Sequence, residues 1–319
     1  MTFARRYLIS TLATSFLVLT ALSARAEDNV QRIRLSLLPF SESLGAVIAE
    51  KQGFFREAGL QVETTLFASG ALALPVLQSG RIDIAFSNTI ATLQVIERGL
   101  DIIVLGPGAI ARKTAPDTTF AVMVLKDGIK NLKELEGKRV AVNVIRSATW
   151  LYTVAGLEAA GVDWTKVRFI ELPNTEQNAA LLNKQVDAIT QPEPFRTVLM
   201  DTGKAEILQY PMVATGPGTD ITQYIALSSW VSQNRDTAIR FARAVAKGSE
   251  FANTNIAVTR DINQQFTNLN PAYKEKVEIP LFGSKINVEG MQQTMELMVK
   301  FQLLKGPVDI TPHILKISQ

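Results

Sequence analysis

The chain has 319 residues, no cysteine and a single histidine, His313, which excludes thiol nucleophiles, thiolate metal sites and chemistry built on several imidazoles. Its 33 Lys+Arg against 30 Asp+Glu give a formal charge of +3, and Arg5, Arg6 and Arg25 in the first 26 residues account for that excess. The remaining chain is balanced in charge, which argues against a nucleic-acid surface, while 47% hydrophobic residues supply material for one large or two medium cores.

Residues 1–26, MTFARRYLISTLATSFLVLTALSARA, combine two arginines, an apolar run from Tyr7 to Leu22 and the triplet Ala24-Arg25-Ala26. That is the order of a secretory signal: positive region, hydrophobic core, A-x-A cleavage site. The run is shorter than the roughly 20 apolar residues a bilayer span needs, so cleavage after Ala26 is expected. The twin arginine in ARRYLIS suits folded-protein (Tat) export and the apolar core suits the general (Sec) route, so both stay open. No cysteine is present to carry a lipid, and a freely diffusing periplasmic protein is expected.

After this segment, strand-like and helix-like stretches alternate. IRLSLLPF precedes an amphipathic run from Leu44 to Ala58; LQVETTLF, ALALPVLQSG, IDIAFSN, TIATLQVIERG and DIIVLGPGA follow. Strands separated by helical patterns predict βαβ units and a parallel sheet. Gly53 breaks the first helix, FFREAG forms a last turn, and Gly59 takes the left-handed position that ends a helix before a strand. Phe54 and Phe55 are expected to pack towards the sheet. GPGAIAR reads as a loop at a strand tip.

The pattern recurs about a hundred residues later. FREAGLQVE is echoed by LEAAGVDWTKVRFIE, with Gly161 answering Gly59, and LQSGRIDIAFS by LNKQVDAITQ, with Asp187 answering Asp83. This predicts a duplicated α/β lobe. Between the copies, VLKDGIKNLKELEGKRVAVN reads as a crossover with a short helix at 132–135, a turn at Gly137 and a strand. A return falls at GPGTDITQYIALSSW, followed by helical patterns over 235–251 and 288–304. The expected organisation is a discontinuous first lobe, 27–125 plus 222–319, and a second lobe, 126–221. Two crossings make a two-strand hinge that bends while keeping the lobes in register.

In open parallel sheets, ligands lie at the carboxyl ends of strands, where helix N-termini direct free N–H groups. The candidate ligand-binding positions are therefore Phe40, Ser41, Glu42, Ser69, Gly70, Ser87, Asn88 and Thr89 in lobe one. In lobe two they are Asn143, Arg146, Ser147, Ala148, Asn174 with Thr175, Gln191 and Glu193. Each Ser, Thr or Asn is either a helix cap or a ligand contact. Arg146 is the one cation at a strand tip and either meets an oxyanion or faces solvent. Glu193, held in QPEPF, either receives an amine or braces the hinge side. Trp150 either stacks on a ligand or belongs to the core. No GxGxxG, Walker loop, HExxH or GxSxG occurs, and neither a metal nor a cofactor is implied.

The motifs IAEKQGFFREAGLQVE, LQSGRIDIAFSN, LKELEGKRVAV and VDAITQPEPF, with the ending MQQTMELMVKFQLLKGPVDI, resemble periplasmic substrate-binding proteins of ABC importers. The resemblance covers essentially all of the chain after the leader and is closest to the group serving nitrate, aliphatic sulfonates and taurine. It implies an α/β, two-lobed periplasmic-binding-protein fold of type II, each lobe a mainly parallel sheet flanked by helices. It also implies a small anion held between the lobes and delivered to an ABC permease with its ATPase in the inner membrane, and no enzymatic activity. Sulfonate binders of this kind often carry an aromatic residue near QPEPF, where this chain has Gln191. A thiamine-pyrimidine precursor or another aromatic or amine solute is the alternative. An enzyme like the fungal-type pyrimidine synthases would need histidine and cysteine residues absent here.

Overall fold

The computed structural model describes residues 30–67 and 70–317; the expected leader and Ser69 lie outside them. In chain order the elements are β1 (Gln31–Leu37), α1 (Leu44–Lys51), α2 (Phe54–Glu57), β2 (Leu60–Leu66), α3 (Gly70–Gln78), β3 (Ile84–Asn88), α4 (Thr89–Glu97), β4 (Ile102–Pro107) and β5 (Ala109–Ile110). Then come β6 (Phe120–Leu125), β7 (Arg139–Val142), α5 (Ala148–Ala159), β8 (Arg168–Glu171), α6 (Asn174–Leu182), β9 (Ala188–Pro192), α7 (Phe195–Asp201), β10 (Ala205–Gln209) and α8 (Pro211–Thr215). The chain closes with β11 (Thr222–Leu227), α9 (Ser228–Gln233), α10 (Arg235–Thr254), α11 (Ile256–Thr267), β12 (Leu281–Phe282) and α12 (Val288–Lys300). No helix among the described residues is long and apolar enough to cross a membrane.

Two five-stranded sheets form two lobes, in the orders β2-β1-β3-β11-β4 and β8-β7-β9-β6-β10. The first three strands of each run parallel, and the fourth is antiparallel to both its neighbours. The internal repeat reaches atomic detail. Asp83 accepts from the Arg34 backbone N–H at 2.8 Å and from its guanidinium at 3.0 and 2.6 Å. Asp187 accepts from Arg139 in the same way at 2.8, 3.1 and 3.1 Å. Each pair fixes the start of the third strand against the first with a two-pronged, charge-assisted contact.

Gly53 and Gly59 adopt φ of +78° and +67°, the left-handed conformations that let the chain leave one helix, make a single turn and enter β2. Phe55 is buried and stacks on Phe241 of α10 at 5.4 Å, and Phe54 meets Phe251 edge-on at 6.3 Å. One apolar layer, with Ile33, Leu35, Phe86 and Tyr224, lies under α1 and α10. These helices approach so closely that a Cβ on Gly248 would sit 2.1 Å from the Gly45 carbonyl oxygen. The other layer, with Leu77, Leu93, Val104 and Ile225, continues through Met291 and Met298 of α12 into Trp150, Leu151 and Val154 of lobe two. Each fully buried large side chain contributes about 1.5–3 kcal/mol. Trp150, at 7% exposure, meets Trp164 and Phe169 edge-on; it belongs to the core.

The crossings between lobes differ from expectation. β6, assigned from sequence to the end of lobe one, pairs with β9 and β10 in the second sheet. The first crossing is therefore 111–119, and the stretch after Leu125 that was expected to cross lies inside lobe two. There the short helix at Leu132–Leu135 and β7 form as predicted. GPGAIAR is not a tip loop: Ala109 and Ile110 pair with β12 and lead into the crossing. The two crossings run side by side, with Ala111 N–H donating to Thr219 O and Ile221 N–H to Ala109 O, both at 2.9 Å.

Candidate functional site

The carboxyl ends of β1, β2 and β3 share one edge of the first sheet, and so does the amino end of antiparallel β11, because Thr222 lies opposite Asn88 and Gln223 opposite Ser87. Phe40 is 47% exposed at this edge. Ser41 donates to Asn263 Oδ1 at 2.8 Å. Glu42 is half-buried, and burial pushes its carboxyl pKa up; it has no ion pair among the described residues. Gly70 opens α3 so close to Ser87 that a Cβ would stand 3.0 Å from the Ser87 Cα and Oγ. Asn88 caps α4, its Oδ1 accepting from Ala91 N–H at 2.8 Å. Thr89 donates its hydroxyl proton to the Asp220 carbonyl.

In lobe two, Asn143 Oδ1 gathers the Val144 N–H at 2.8 Å and the Ser147 hydroxyl at 2.9 Å, together with the Thr149 hydroxyl. This organises the loop that launches α5 at Ala148. Arg146 has φ +68°, is exposed and gives its guanidinium to the Gln302 carbonyl. Asn174 begins α6, and its carbonyl accepts from Gln191 Nε2 at 2.8 Å. Thr175 follows it on the same helix. Glu193 forms a buried pair with Arg196 at 2.7 Å, so its charge is compensated within the lobe. Two of the charged candidates, Arg146 and Glu193, are thus committed to partners in the protein.

Asn88, Thr89 and Ala148, one helix start from each lobe, converge on a cavity between the lobes. Tyr152, Met212, Asp220 and Ile221 complete it with Ile90, and its volume is ≈ 10 Å³, room for about one water. Burial raises the Tyr152 phenol to about 12 and the Asp220 carboxyl to about 7. Asp220 Oδ2 accepts from Asn287 N–H at 3.0 Å, at the start of α12. Its Oδ1 makes no hydrogen bond of good geometry, and neither do Ser87 Oγ, Thr219 Oγ1 and both amide atoms of Gln223, although the Gln223 amide lies close enough to Asp220 to oppose the rise of its pKa. On the other lobe Gln191 Oε1 is likewise unpartnered. Leaving such a group buried and unpaired costs about 1–3 kcal/mol; Arg112 Nε, Gln177 Oε1, Gln209 Oε1 and Ser249 Oγ are further unpartnered atoms among the described residues.

The family profile described as NMT1/THI5 like matches residues 41–255. The chain belongs to the NMT1/THI5-like family. This family member is 23% identical to a Brucella abortus protein named "Putative binding protein" over 96% of the chain and 95% of that relative. Its fold matches the periplasmic aliphatic sulphonate binding protein SsuA from Escherichia coli with a TM-score of 0.76 at 19% identity, covering 91% and 93% of the two chains. It also matches the periplasmic nitrate-binding protein NrtA from Synechocystis PCC 6803 at a TM-score of 0.68 and 15% identity, covering 88% and 84%. The two-lobed periplasmic-binding-protein fold expected from the sequence is therefore the fold of this NMT1/THI5-like chain, and the two structural neighbours named here are periplasmic binding proteins.

Proposed function

We infer that this protein is the solute-binding component of an ABC importer, exported to the periplasm, closing on a small polar solute between its lobes and presenting it to a membrane permease. The observation that carries the reading is the set of buried polar atoms without good hydrogen bonds at the strand-tip edge of lobe one, Ser87 Oγ and Gln223, and on the adjoining crossing, Asp220 Oδ1. Asp220 lines a cavity to which both lobes contribute. The paired crossings supply the compliance for closure. Sulphonate and nitrate binding among the structural neighbours favours an anionic solute of the sulfonate, taurine or nitrate class. The uncompensated carboxyls Glu42 and Asp220 favour a solute that also carries N–H donors.

A thermal-shift panel of taurine, alkanesulfonates, nitrate, carboxylates and pyrimidines on ligand-free protein tests the reading, with solution scattering on any member that stabilises. Stabilisation together with a more compact envelope is expected. Stabilisation without compaction, or a solute found elsewhere in a crystal, would refute capture between the lobes. Conversion of a bound compound, followed by mass spectrometry, would point to an enzyme.

A further inference from the structure

Asp220 stands on the second of the two crossings, where Ile110 at the end of β5 bridges to it, and the residue is 1% exposed. It lines the interlobe cavity together with Thr89 from lobe one and Tyr152 from lobe two. One carboxylate oxygen is held by Asn287 N–H; the other makes no hydrogen bond of good geometry, although the Gln223 amide lies close enough to favour the carboxylate. No cation forms an ion pair with Asp220 among the described residues. A buried carboxylate without a counter-charge is costly, and a fold that retains one must recover that cost elsewhere. Once the carboxyl is ionised, a simple anion beside it would add like-charge repulsion. A bound N–H group would supply a better-aligned donor than the Gln223 amide gives.

We propose that Asp220 selects the solute, its Oδ1 accepting a hydrogen bond from an amine, amidine or amino-heterocycle N–H, so that the cleft takes donor-bearing solutes in preference to plain anions. The proposal rests on the reading that the solute lies between the lobes. The cavity holds about one water as it stands, so the solute enters with the lobes parted and fixes how far they close. Because Asp220 belongs to the connecting ribbon, it stays near the axis of that motion and keeps its place as the lobes swing. The neighbouring groups fit a mixed guest: the Gln223 amide offers both a donor and an acceptor, and Tyr152 presents an aromatic wall.

Isothermal titration with matched pairs at about pH 8, where the carboxyl is ionised, tests it: taurine against ethanesulfonate, and 4-aminopyrimidine against pyrimidine. The amino member of at least one pair should bind at least about ten-fold tighter, the expected size of a charge-assisted hydrogen bond. The preference should shrink to less than about three-fold in Asp220→Asn, which offers a neutral side chain of the same shape. Equal binding within both pairs, a preference that survives Asp220→Asn, or no binding of either amino probe would overturn the proposal. The comparison on the unaltered chain decides even if the substitution unfolds it. Scattering on the same samples separates the two readings: compaction without amino preference refutes only the role of Asp220, and binding without compaction refutes capture between the lobes.

Discussion

The Tyr152 hydroxyl lies 2.8 Å from the Thr294 hydroxyl, joining the first helix of lobe two to the C-terminal helix. Thr294 spends its single proton on the Gly290 carbonyl at 2.9 Å, so Tyr152 is the donor between them. Tyr152→Phe therefore removes one bond while leaving Thr294 satisfied as a donor. It should destabilise the protein by about 0.5–1.5 kcal/mol in urea unfolding. An unchanged midpoint would mean that the contact contributes nothing.

Arg196 is bound to Glu193 by Nε at 2.8 Å and Nη2 at 2.7 Å, and gives Nη1 to the Asp117 carbonyl at 2.8 Å. Both side chains of the ion pair are almost fully buried. Arg196→Met strands the carboxylate and should cost about 3–5 kcal/mol. Adding Glu193→Met should return most of that loss, because an apolar pair needs no desolvation of charge. Guanidinium unfolding of the single and double variants provides the comparison.

The pH dependence of stability should carry a mark from Asp220. Its folded pKa of about 7 stands above the ordinary 3.8, so between these values the folded chain holds more protons than the unfolded one. Stability due to this group then falls as pH rises through that window and levels off above it. At 1.36 kcal/mol per unit, the full shift corresponds to about 4 kcal/mol as an upper limit. Asp220→Asn should remove the slope, its advantage over the parent growing from about pH 4 to about pH 7. Parallel urea midpoints across that range would contradict it. Asp187, whose carboxyl is held below the usual range by Arg139, has the opposite sign. Its contribution is lost as pH falls through that lowered value, outside the window of Asp220.

The Gly45–Gly248 crossing predicts a steric penalty. A methyl group on Gly248 meets the Gly45 carbonyl oxygen and the Ala49 backbone nitrogen, neither of which can step aside without moving a helix. Gly248→Ala should lower stability by about 1–3 kcal/mol, although alanine favours helix intrinsically by about 1 kcal/mol. A rise in melting temperature would show that the helices part easily.

Local signals in the sequence located most of the framework. Gly53, Gly59, Gly137 and Gly161 all adopt positive φ, and the echo of Asp83 in Asp187 led to two equivalent braces, although their partners Arg34 and Arg139 carry no local signal. The crossings were misjudged because β6 is inserted antiparallel between β9 and β10, a pairing set by distant residues. The same geometry hid Asp220. Strand carboxyl ends supply the candidate positions, and three of these, Asn88, Thr89 and Ala148, line the interlobe cavity, but an antiparallel strand brings its amino end to that edge. Its only visible trace was an acid isolated between a glycine-proline loop and an apolar strand. Tyr152, which lines the same cavity, is not among the sequence candidates because a tyrosine four residues into a helix looks like core, and most of its ring is.

The chain carries three tryptophans, and two of them stand where the molecule would be watched. Trp150 and Trp164 meet at 6.0 Å, and Trp164 meets Phe301, just after the C-terminal helix, at 5.8 Å. Trp230 lies apart, against the far layer of lobe one. The protein thus contains its own optical probe: emission from the indole pair follows the fit of the C-terminal segment against lobe two, with no dye attached, while the third indole serves as an internal baseline.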